Sequence, residues 1–485
     1  MLNRRTFLGS AAAAVAMARA ESLVQEPVAL KFGALADIHI RELASAATFE
    51  KALRWFDAQK VDAVLCSGDL ADFGLAGQLA NVAATWFKVF PGNKRSDGAP
   101  VVPLFHYGDH DCGLNPATLE RCCRNRPDLQ ADKSIPISNR KAIWESCFKE
   151  EWHPIELKTV KGYKFVLYHF TNGETAVYSK PWGSHAEGLP EFLSAHAEEL
   201  KGAKPFFYSQ HRIMRGTAGG PFAWGQDDGY ATETLSKWPN CFAFCGHGHL
   251  MGTDERNIWQ GGFTAVETPS LSYQQMHAGR ENGFCLLDKW REATVPERQM
   301  PMVDAGSDYR PIARQGYLVT VRPSSITLAR RDFLNDCFLG PDWVVPLPLL
   351  AERPFSHDWR AEHDPAPVFP KGAKATLAHI EGKDRAGKAE RQIVVSFPAA
   401  LAQGCHPRAY DYEVQASLVK GEVSRVVATK RVYSTHCFQG PSQDTDVVTC
   451  VFAEFEIPSD RNYVEFAVRP LNAFGRRGAP LICRL

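Results

Sequence analysis

Five short apolar runs, each ending on Asp or His residues, constrain the fold of this chain more than any other feature. The runs and the motifs that follow them are Phe32–Ala36 with Asp37-Ile38-His39, Val61–Cys66 with Gly68-Asp69-Leu70-Ala71-Asp72, Val101–Tyr107 with Gly108-Asp109-His110-Asp111, Pro205–Tyr208 with Gln210-His211, and Cys241–Cys245 with Gly246-His247-Gly248-His249. Short apolar runs bounded by turn residues indicate buried strands. Ligands of an open α/β sheet gather outside the carboxyl ends of its strands. We therefore predict that five strand ends deliver Asp and His side chains to one place.

Two helical segments separate the first three predicted strands. Apolar residues recur at helical spacing in Ala47–Lys60 and again in Leu75–Phe90. Strands that alternate with such segments are typical of β-α-β units, so we predict a mostly parallel α/β domain over residues 28–345. Residues 113–160 are polar, interrupted by Pro and then aromatic, which predicts an insertion that walls one side of the site.

Helical segments become scarce after the Gly-His-Gly-His turn. The predicted strands of this region are Phe263–Glu267, Gly283–Leu287, Tyr317–Val321 and Ile326–Ala329. Consecutive strands with little helix between them favour a second sheet stacked on the first.

The remaining third of the chain has a different pattern. Residues 346–372 are rich in Pro without a clear period, which indicates a linker or a strap over the surface. Residues 373–485 contain strand-like runs separated by turn residues, which predicts a small all-β sandwich. Tyr463 before the last long apolar run, with Asn472–Gly475 after it, resembles the last strands of a fibronectin type III domain.

The first 20 residues form a separate unit. Asn3–Leu8 resembles a twin-arginine export motif, an apolar stretch runs from Ala11 to Met17, and Ala18–Ala20 fits a small-x-small cleavage site. We therefore expect residues 1–20 to be a twin-arginine signal peptide and the protein to be exported to a periplasmic or extracellular location. The apolar stretch is too short to span a bilayer, and no other run is long enough, so no transmembrane segment is expected.

Charge and cysteine content bear on partners and redox chemistry. Lys+Arg and Asp+Glu are both 55, so the formal charge is zero, and a nucleic-acid partner bound by a broad basic face is not expected. Thirteen cysteines leave at least one unpaired if the others form disulfides. Cys122 or Cys123 with Cys147, and Cys437 with Cys450, are possible local pairs, and the sequence leaves their connectivity open.

The order Asp-x-His, Gly-Asp-x-x-Asp, Gly-Asp-His-Asp, His and Gly-His-x-His resembles that of the calcineurin-like metallophosphoesterases. The resemblance covers residues 28–345 and implies a metallophosphatase-type fold of stacked β-sheets flanked by helices. It also implies hydrolysis of a small-molecule phosphate mono- or diester through a metal-bridging hydroxide. Two metals can activate water and neutralise phosphoryl charge, which this hydrolysis requires. Carboxylate and imidazole ligands suit two divalent or mixed-valence ions of Fe, Zn or Mn.

The resemblance also implies a role for each matching residue. The implied metal ligands are Asp37, His39 and His249 for the first ion, Asp109, His211 and His247 for the second, and Asp69 for both. His110 would act as the acid, and Asp111 would orient and charge its imidazole. Asp72 is expected to support its loop rather than to bind metal.

Asp109 is the one departure, because the family usually has Asn at this position. A carboxylate ligates at least as well as an amide, but it adds a negative charge beside the phosphate. The departure leaves two outcomes open, a changed metal preference or weakened catalysis, and we expect metal binding to be retained.

Several residues have more than one interpretation. His106 and His169 lie on strands and are expected in the core, whereas Arg212 could reach a phosphate or form a surface salt bridge. Trp144, Trp152 and Trp224 could line a pocket, although large aromatic residues more often pack in the core. The alternative function is a binding or adhesion module that keeps the phosphoesterase fold without turnover, and the C-terminal sandwich favours it.

Overall fold

The structure of the chain is a computed structural model that describes residues 26–40, 43–112, 140–170, 188–221, 223–274, 314–383, 388–434, 447–457 and 463–485. Some predictions fall outside these residues: the export signal, the strand Gly283–Leu287, and the cysteines Cys122, Cys123 and Cys437. None of the helices within the described ranges combines the length and the apolar character needed to cross a membrane.

The strands and α-helices of the described residues are numbered in chain order. They are β1 (Leu30–Leu35), α1 (Leu43–Ala58), β2 (Ala63–Ser67), α2 (Ala76–Val89), β3 (Val102–His106), α3 (Arg140–Phe148), β4 (Ile155–Val160), β5 (Tyr163–Tyr168), α4 (Leu189–Ala195), α5 (Ala197–Leu200), β6 (Phe206–Ser209), α6 (Tyr230–Leu235), β7 (Cys241–Cys245), β8 (Ile258–Gln260), β9 (Thr264–Glu267), β10 (Gln315–Val321), β11 (Ser325–Asp332), β12 (Cys337–Phe338), β13 (Trp343–Pro346), α7 (His357–His363), β14 (Thr376–Lys383), β15 (Ala389–Pro398), β16 (Asp411–Lys420), β17 (Val423–Tyr433), β18 (Val447–Ala453), β19 (Val464–Leu471) and β20 (Leu481–Arg484).

The first sheet has the strand order β12-β11-β10-β1-β2-β3, and β13 pairs with β11. Strands β1, β2 and β3 are parallel, whereas β10 runs antiparallel to β1. The two predicted helices are confirmed as α1 and α2, and they cover the outer face of this sheet. Phe56 of α1 and Trp86 of α2 are fully buried in one apolar cluster with Val64 of β2.

The second sheet has the order β4-β5-β6-β7-β9-β8, with β5, β6, β7 and β9 parallel. Leu193 of α4 and Leu235 of α6 are buried against its outer face. The predicted insertion therefore contributes to this sheet, because its last residues form β4, which pairs with β5. The part of that insertion from 113 to 139 lies outside the described residues.

The two sheets stack through an aromatic core centred on Phe32 of β1. Its ring lies edge-on to Phe165, Phe207 and Phe244 of the second sheet, with centroids 5.3, 5.1 and 5.7 Å away. Burying one such side chain contributes roughly 1.5–3 kcal/mol, and Phe32 is one of many buried apolar residues in this core. Stacked sheets flanked by helices confirm the predicted fold class.

The sheet assignment of individual strands differs from the prediction in two ways. The five strands that precede the motifs do not share one sheet, because β1, β2 and β3 belong to the first and β6 and β7 to the second. The strands after residue 263 do not form the second sheet by themselves either. Strand β9 joins β7, whereas β10 and β11 return to the first sheet. Apolar patterning identifies a buried strand but not the neighbour that it pairs with.

The C-terminal region is all-β, as predicted. It forms one antiparallel sheet of β14-β15-β18 and another of β17-β16-β19-β20. Their facing sides bury Val395, Tyr412, Phe452 and Phe466 in one core, which makes the region sandwich-like.

The C-terminal region packs against the chain just after the last predicted metal ligand. Arg256 donates to the hydroxyl of Tyr410 over 2.8 Å, and Met251 packs on Tyr410 and Tyr433. In the Pro-rich segment, Arg360 of α7 donates to the Glu255 carboxylate over 2.9 Å. The loop that bears the Gly-His-Gly-His motif is therefore held at its far end by later parts of the chain.

Candidate metal centre

The motif residues lie just beyond strand ends, in backbone conformations that non-glycine residues rarely adopt. Five of the seven predicted ligands have a positive φ: Asp37 (51°), His39 (47°), Asp69 (52°), His247 (68°) and His249 (50°). This conformation costs on the order of 1–2 kcal/mol per residue. Such strain persists only where the surroundings impose it, and it clusters at functional sites.

Glycines make room for this crowding. Gly68 has a φ of 85°, and a Cβ added there would lie 2.5 Å from Nδ1 of His211. A Cβ at Gly108 would lie 2.2 Å from Oδ1 of Asp69. The strand-end loops, both within the first sheet and across to His211 of the second, therefore approach each other more closely than side chains at these positions would allow.

The first cluster comprises Asp37, His39, Asp69 and His249. One ligand atom from each lies within 4.8 Å of the others, and all four residues are buried. The Nε2 atoms of His39 and His249 are 3.2 Å apart, and Oδ1 of Asp37 is 3.1 Å from Nε2 of His249.

The second cluster comprises Asp69, Asp109, His211 and His247. Oδ1 of Asp109 lies 2.8 Å from Nε2 of His211 and 3.0 Å from Nδ1 of His247. Asp69 belongs to both clusters, because its Oδ1 is 3.2 Å from Nε2 of His211 and its Oδ2 is 3.6 Å from Nε2 of His39. The seven predicted ligands thus form two adjacent groups that share one carboxylate.

Hydrogen bonds on the far side of the imidazoles show that the donor set suits a cation. Nδ1 of His249 faces the carbonyl of Tyr273 at 2.9 Å, and Nδ1 of His211 faces that of Ser67 at 2.8 Å. A carbonyl only accepts, so these Nδ1 atoms carry the proton and the Nε2 lone pairs point into the clusters. Two nitrogens bound tetrahedrally to zinc are about 3.3 Å apart, which agrees with the 3.2 Å between His39 and His249.

The electrostatic field of the second cluster also favours positive charge. Burial lowers the pKa of His211, but Asp69 and Asp109 outweigh it and hold this pKa well above its usual value. Burial raises the pKa of Asp109, but His247 and His211 hold it well below the usual range. Burial keeps the pKa of His247 below its usual value. Carboxylates and imidazoles in this arrangement fit transition-metal ions such as Fe, Zn or Mn.

His110 stands at the edge of the two clusters and outside their ligand sets. Its Nδ1 lies 2.7 Å from the backbone carbonyl of Asp72, so Nδ1 carries a proton and donates it there. Burial lowers the pKa of His110, but Asp69, Asp109 and Asp72 outweigh it and raise the pKa to about 9. Cations bound between these carboxylates would offset part of that field.

Asp111 has different partners from those predicted. Its carboxylate accepts hydrogen bonds from the backbone N–H groups of Leu70 (3.0 Å), Ala71 (2.7 Å) and Gly108 (2.7 Å). The expected contact with the His110 imidazole is therefore corrected: Asp111 joins two motif loops, and the carbonyl of Asp72 orients His110. Burial and then the charge of Asp69 raise the pKa of Asp111 to about 7.

Asp72 contributes more than the predicted support of its loop. Its Oδ1 lies 3.0 Å from Nδ1 of His39, which places a carboxylate behind an imidazole of the first cluster. Such carboxylate–histidine pairs orient metal-binding imidazoles and raise their basicity. A third grouping of possible ligand atoms, His39, Asp72 and His110, overlaps the first cluster through His39.

Replacing Asp72 with Asn should weaken metal binding at the first cluster roughly 10- to 100-fold, because His39 loses its carboxylate partner. The second cluster should be affected much less. Stepwise titration of metal-free protein against a chelating indicator would resolve the two affinities. This role for Asp72 would be contradicted if both binding steps were weakened equally, or if neither step were weakened.

The structure distinguishes between the other open interpretations. His106 and His169 are fully buried, with His106 Nε2 2.8 Å from the hydroxyl of Ser209, in agreement with a place in the core. Arg212 is 5% exposed and lies over the Phe170 ring, so it is not a surface residue. Trp144 is fully buried in the core beneath Tyr107.

Two aromatic residues flank the clusters. Trp224 stacks on His247 at 4.8 Å, so it lines the site rather than packing elsewhere. Tyr273 was missed: its ring stacks on His249 at 4.1 Å, and its carbonyl faces Nδ1 of the same imidazole. No motif surrounds Tyr273 in the sequence, because its role depends on a backbone carbonyl that any residue could supply.

The stacked sheets and the paired clusters define a metallophosphatase fold with a candidate dinuclear metal site. Residues 30–251 match the family model described as Calcineurin-like phosphoesterase. These residues are therefore similar to calcineurin-like phosphoesterase domains, which generally belong to metal-dependent hydrolases.

Among solved structures, the chain is similar to a dimetal phosphatase from Danio rerio, with 10% identity over 66% of this chain and 100% of that chain and a TM-score of 0.38. It is also similar to GAP50, the anchor in the inner membrane complex of Plasmodium. The identity is 10% over 67% of this chain and 90% of that chain, with a TM-score of 0.37. Vps29 from Entamoeba histolytica complexed with Zn²⁺ is 12% identical over 65% of this chain and 99% of that chain, with a TM-score of 0.26. No curated protein sequence matches the chain.

Proposed function

We propose that this chain is an exported phosphoesterase that depends on two metal ions and hydrolyses a phosphate mono- or diester. The observation that carries the proposal is the pair of buried ligand clusters that share Asp69, with His110 beside them. The Nε2 atoms of His39 and His249 lie 3.2 Å apart in the first cluster, a separation that suits two nitrogen ligands of one ion.

Each ligand has an assigned ion in this proposal. The residues that would hold the ions are Asp37, His39 and His249 for one, Asp109, His211 and His247 for the other, and Asp69 for both. Ions at these positions would neutralise charge on the phosphoryl oxygens and lower the pKa of the attacking water. The identity of the metals, Fe, Zn or Mn, belongs to the proposal as well.

His110 supplies the proton that the leaving oxygen requires. Because Nδ1 donates to the carbonyl of Asp72, Nε2 is the atom left to face a substrate. The carboxylates of Asp69, Asp109 and Asp72 favour the protonated imidazolium, which is the form able to act as an acid. Asp111 acts indirectly, since its hydrogen bonds keep the loops of Asp69 and His110 together.

Export is the second part of the proposal, and it rests on the twin-arginine motif at Arg4 and Arg5. Replacing both residues with Lys should leave the protein in the cytoplasm of a host that has the twin-arginine pathway. Unchanged export of that variant would contradict this route.

Metal analysis of the purified protein, followed by assay after chelation and reloading with Mn²⁺ or Zn²⁺, tests the function. We expect about two ions per chain and metal-dependent turnover of aryl phosphate mono- or diesters. Bound metal without turnover of any ester, across several metals, would favour the alternative of a binding or adhesion module.

A further inference from the structure

We propose that Asp109 matches the site to phosphodiesters, which carry one negative charge, rather than to phosphate monoesters. This inference rests on the proposed function and deepens it. It concerns the one carboxylate that belongs to the second cluster alone.

Asp109 stands where a substrate would enter. Its side chain is 15% exposed, whereas those of Asp37 and Asp69 are 0% and 1% exposed. The backbone N–H of His110, the proposed acid, donates to Oδ1 of Asp69 over 2.9 Å, and this oxygen and Oδ1 of Asp109 both contact Nε2 of His211. A phosphoryl group within reach of His110 would therefore lie within a few ångströms of the Asp109 carboxylate.

The charges of the ligands can be counted. The three carboxylates, Asp37, Asp69 and Asp109, contribute −3, and imidazoles bound to metal are neutral. Two divalent ions contribute +4, so the ions and their protein ligands together carry +1. The surrounding charged groups, such as Asp72 behind His39 and Arg212, whose charge acts on His247, are the same with Asp or Asn at position 109, so only the charge of residue 109 enters the comparison.

The Asp109 carboxylate therefore removes one positive charge from the loaded centre. A phosphodiester carries one negative charge, whereas a phosphate monoester carries about −1.5 to −2 at pH 7. Coulomb energy scales with the product of the charges, and Asp109 therefore repels a dianion twice as strongly as a monoanion. With Asn at position 109 the loaded centre would carry one more positive charge and would attract the dianion more strongly.

The test compares wild type, Asp109→Asn and Asp109→Glu on a matched pair of substrates. These are an aryl phosphate and its methyl aryl phosphodiester with the same leaving group, assayed at saturating Mn²⁺ with metal content measured. We expect wild type to favour the diester in kcat/KM. The Asn variant should shift the ratio toward the monoester by at least about tenfold, whereas Glu, which keeps the charge, should not.

A binding measurement provides a readout that does not depend on turnover. Inorganic phosphate, which is mostly dianionic at about pH 8, should bind the metal-loaded Asn variant at least about tenfold more tightly than wild type in calorimetry. Unchanged substrate ratio and phosphate affinity in a fully loaded Asn variant would overturn the inference. Preference of wild type for the monoester would overturn it without any variant. Neither result touches the proposed function, which fails only if no ester is turned over.

Discussion

Replacing Asp69 with Asn should reduce turnover by roughly a thousandfold or more and release at least one of the two metal ions. Its two oxygens face different clusters, 3.2 Å from His211 and 3.6 Å from His39, and an amide offers only one neutral oxygen. The loss of a shared anionic ligand removes several kcal/mol of transition-state stabilisation, which corresponds to about this factor. Asn keeps the size of the side chain and tolerates the φ of 52° at this position.

Metal content and kcat, measured on the same preparation, check this prediction. Asp97→Asn is a suitable control, because Asp97 is an exposed carboxylate whose partner is Arg95. Thermal unfolding of the metal-free proteins would separate a folding defect from a loss of ligation. A variant that holds two ions and turns over at the rate of wild type would contradict the shared role of Asp69.

Replacing His110 with Ala should lower kcat about 10²- to 10⁴-fold while both metal ions remain bound. The reason is that Nε2 of His110 would deliver the proton to the leaving oxygen, whereas the two ligand clusters form without this residue. The loss should be largest for alkyl leaving groups, which need the proton. It should be much smaller for a nitrophenolate, which leaves as a stable anion.

The dependence on the leaving group is the decisive measurement for His110. His153→Ala provides a matched control, since His153 is exposed and lies beside Glu151 at the surface. An equal loss for alkyl and nitrophenyl esters would show that His110 is not the acid and acts through binding or positioning instead.

Short-range patterns were sufficient to predict the elements that carry the site. The fifth predicted strand coincides with β7, Cys241–Cys245, and the two predicted helices agree with α1 and α2 within a few residues at each end. These elements are specified by residues that are neighbours in the chain, through alternation of apolar residues and their boundary residues. Gly68, which begins the second motif, has a positive φ, as a tight turn after the strand requires.

Long-range relations were not accessible in this way. The membership of β10 in the first sheet depends on its register with β1, in which Gly33 pairs with Leu318, almost three hundred residues later. Asp111 was expected beside the imidazole that follows the same strand, yet its carboxylate binds the backbone of Leu70 and Ala71 in another loop. Proximity in sequence was a poor guide because His110 and Asp111 begin a 3-10 helix, in which successive side chains point about 120° apart.

The sequence by itself determined which residues could do chemistry, because the Asp, His and Gly residues of the five motifs follow directly from the apolar runs that become buried strands. Only the tertiary structure decided that two stacked sheets, rather than one, bring these residues into two clusters around Asp69. It also decided that Asp72 and the carbonyls of Ser67 and Tyr273 lie behind the imidazoles. These relations depend on the packing of strands that are distant in the chain, and local patterning carries no information about that packing.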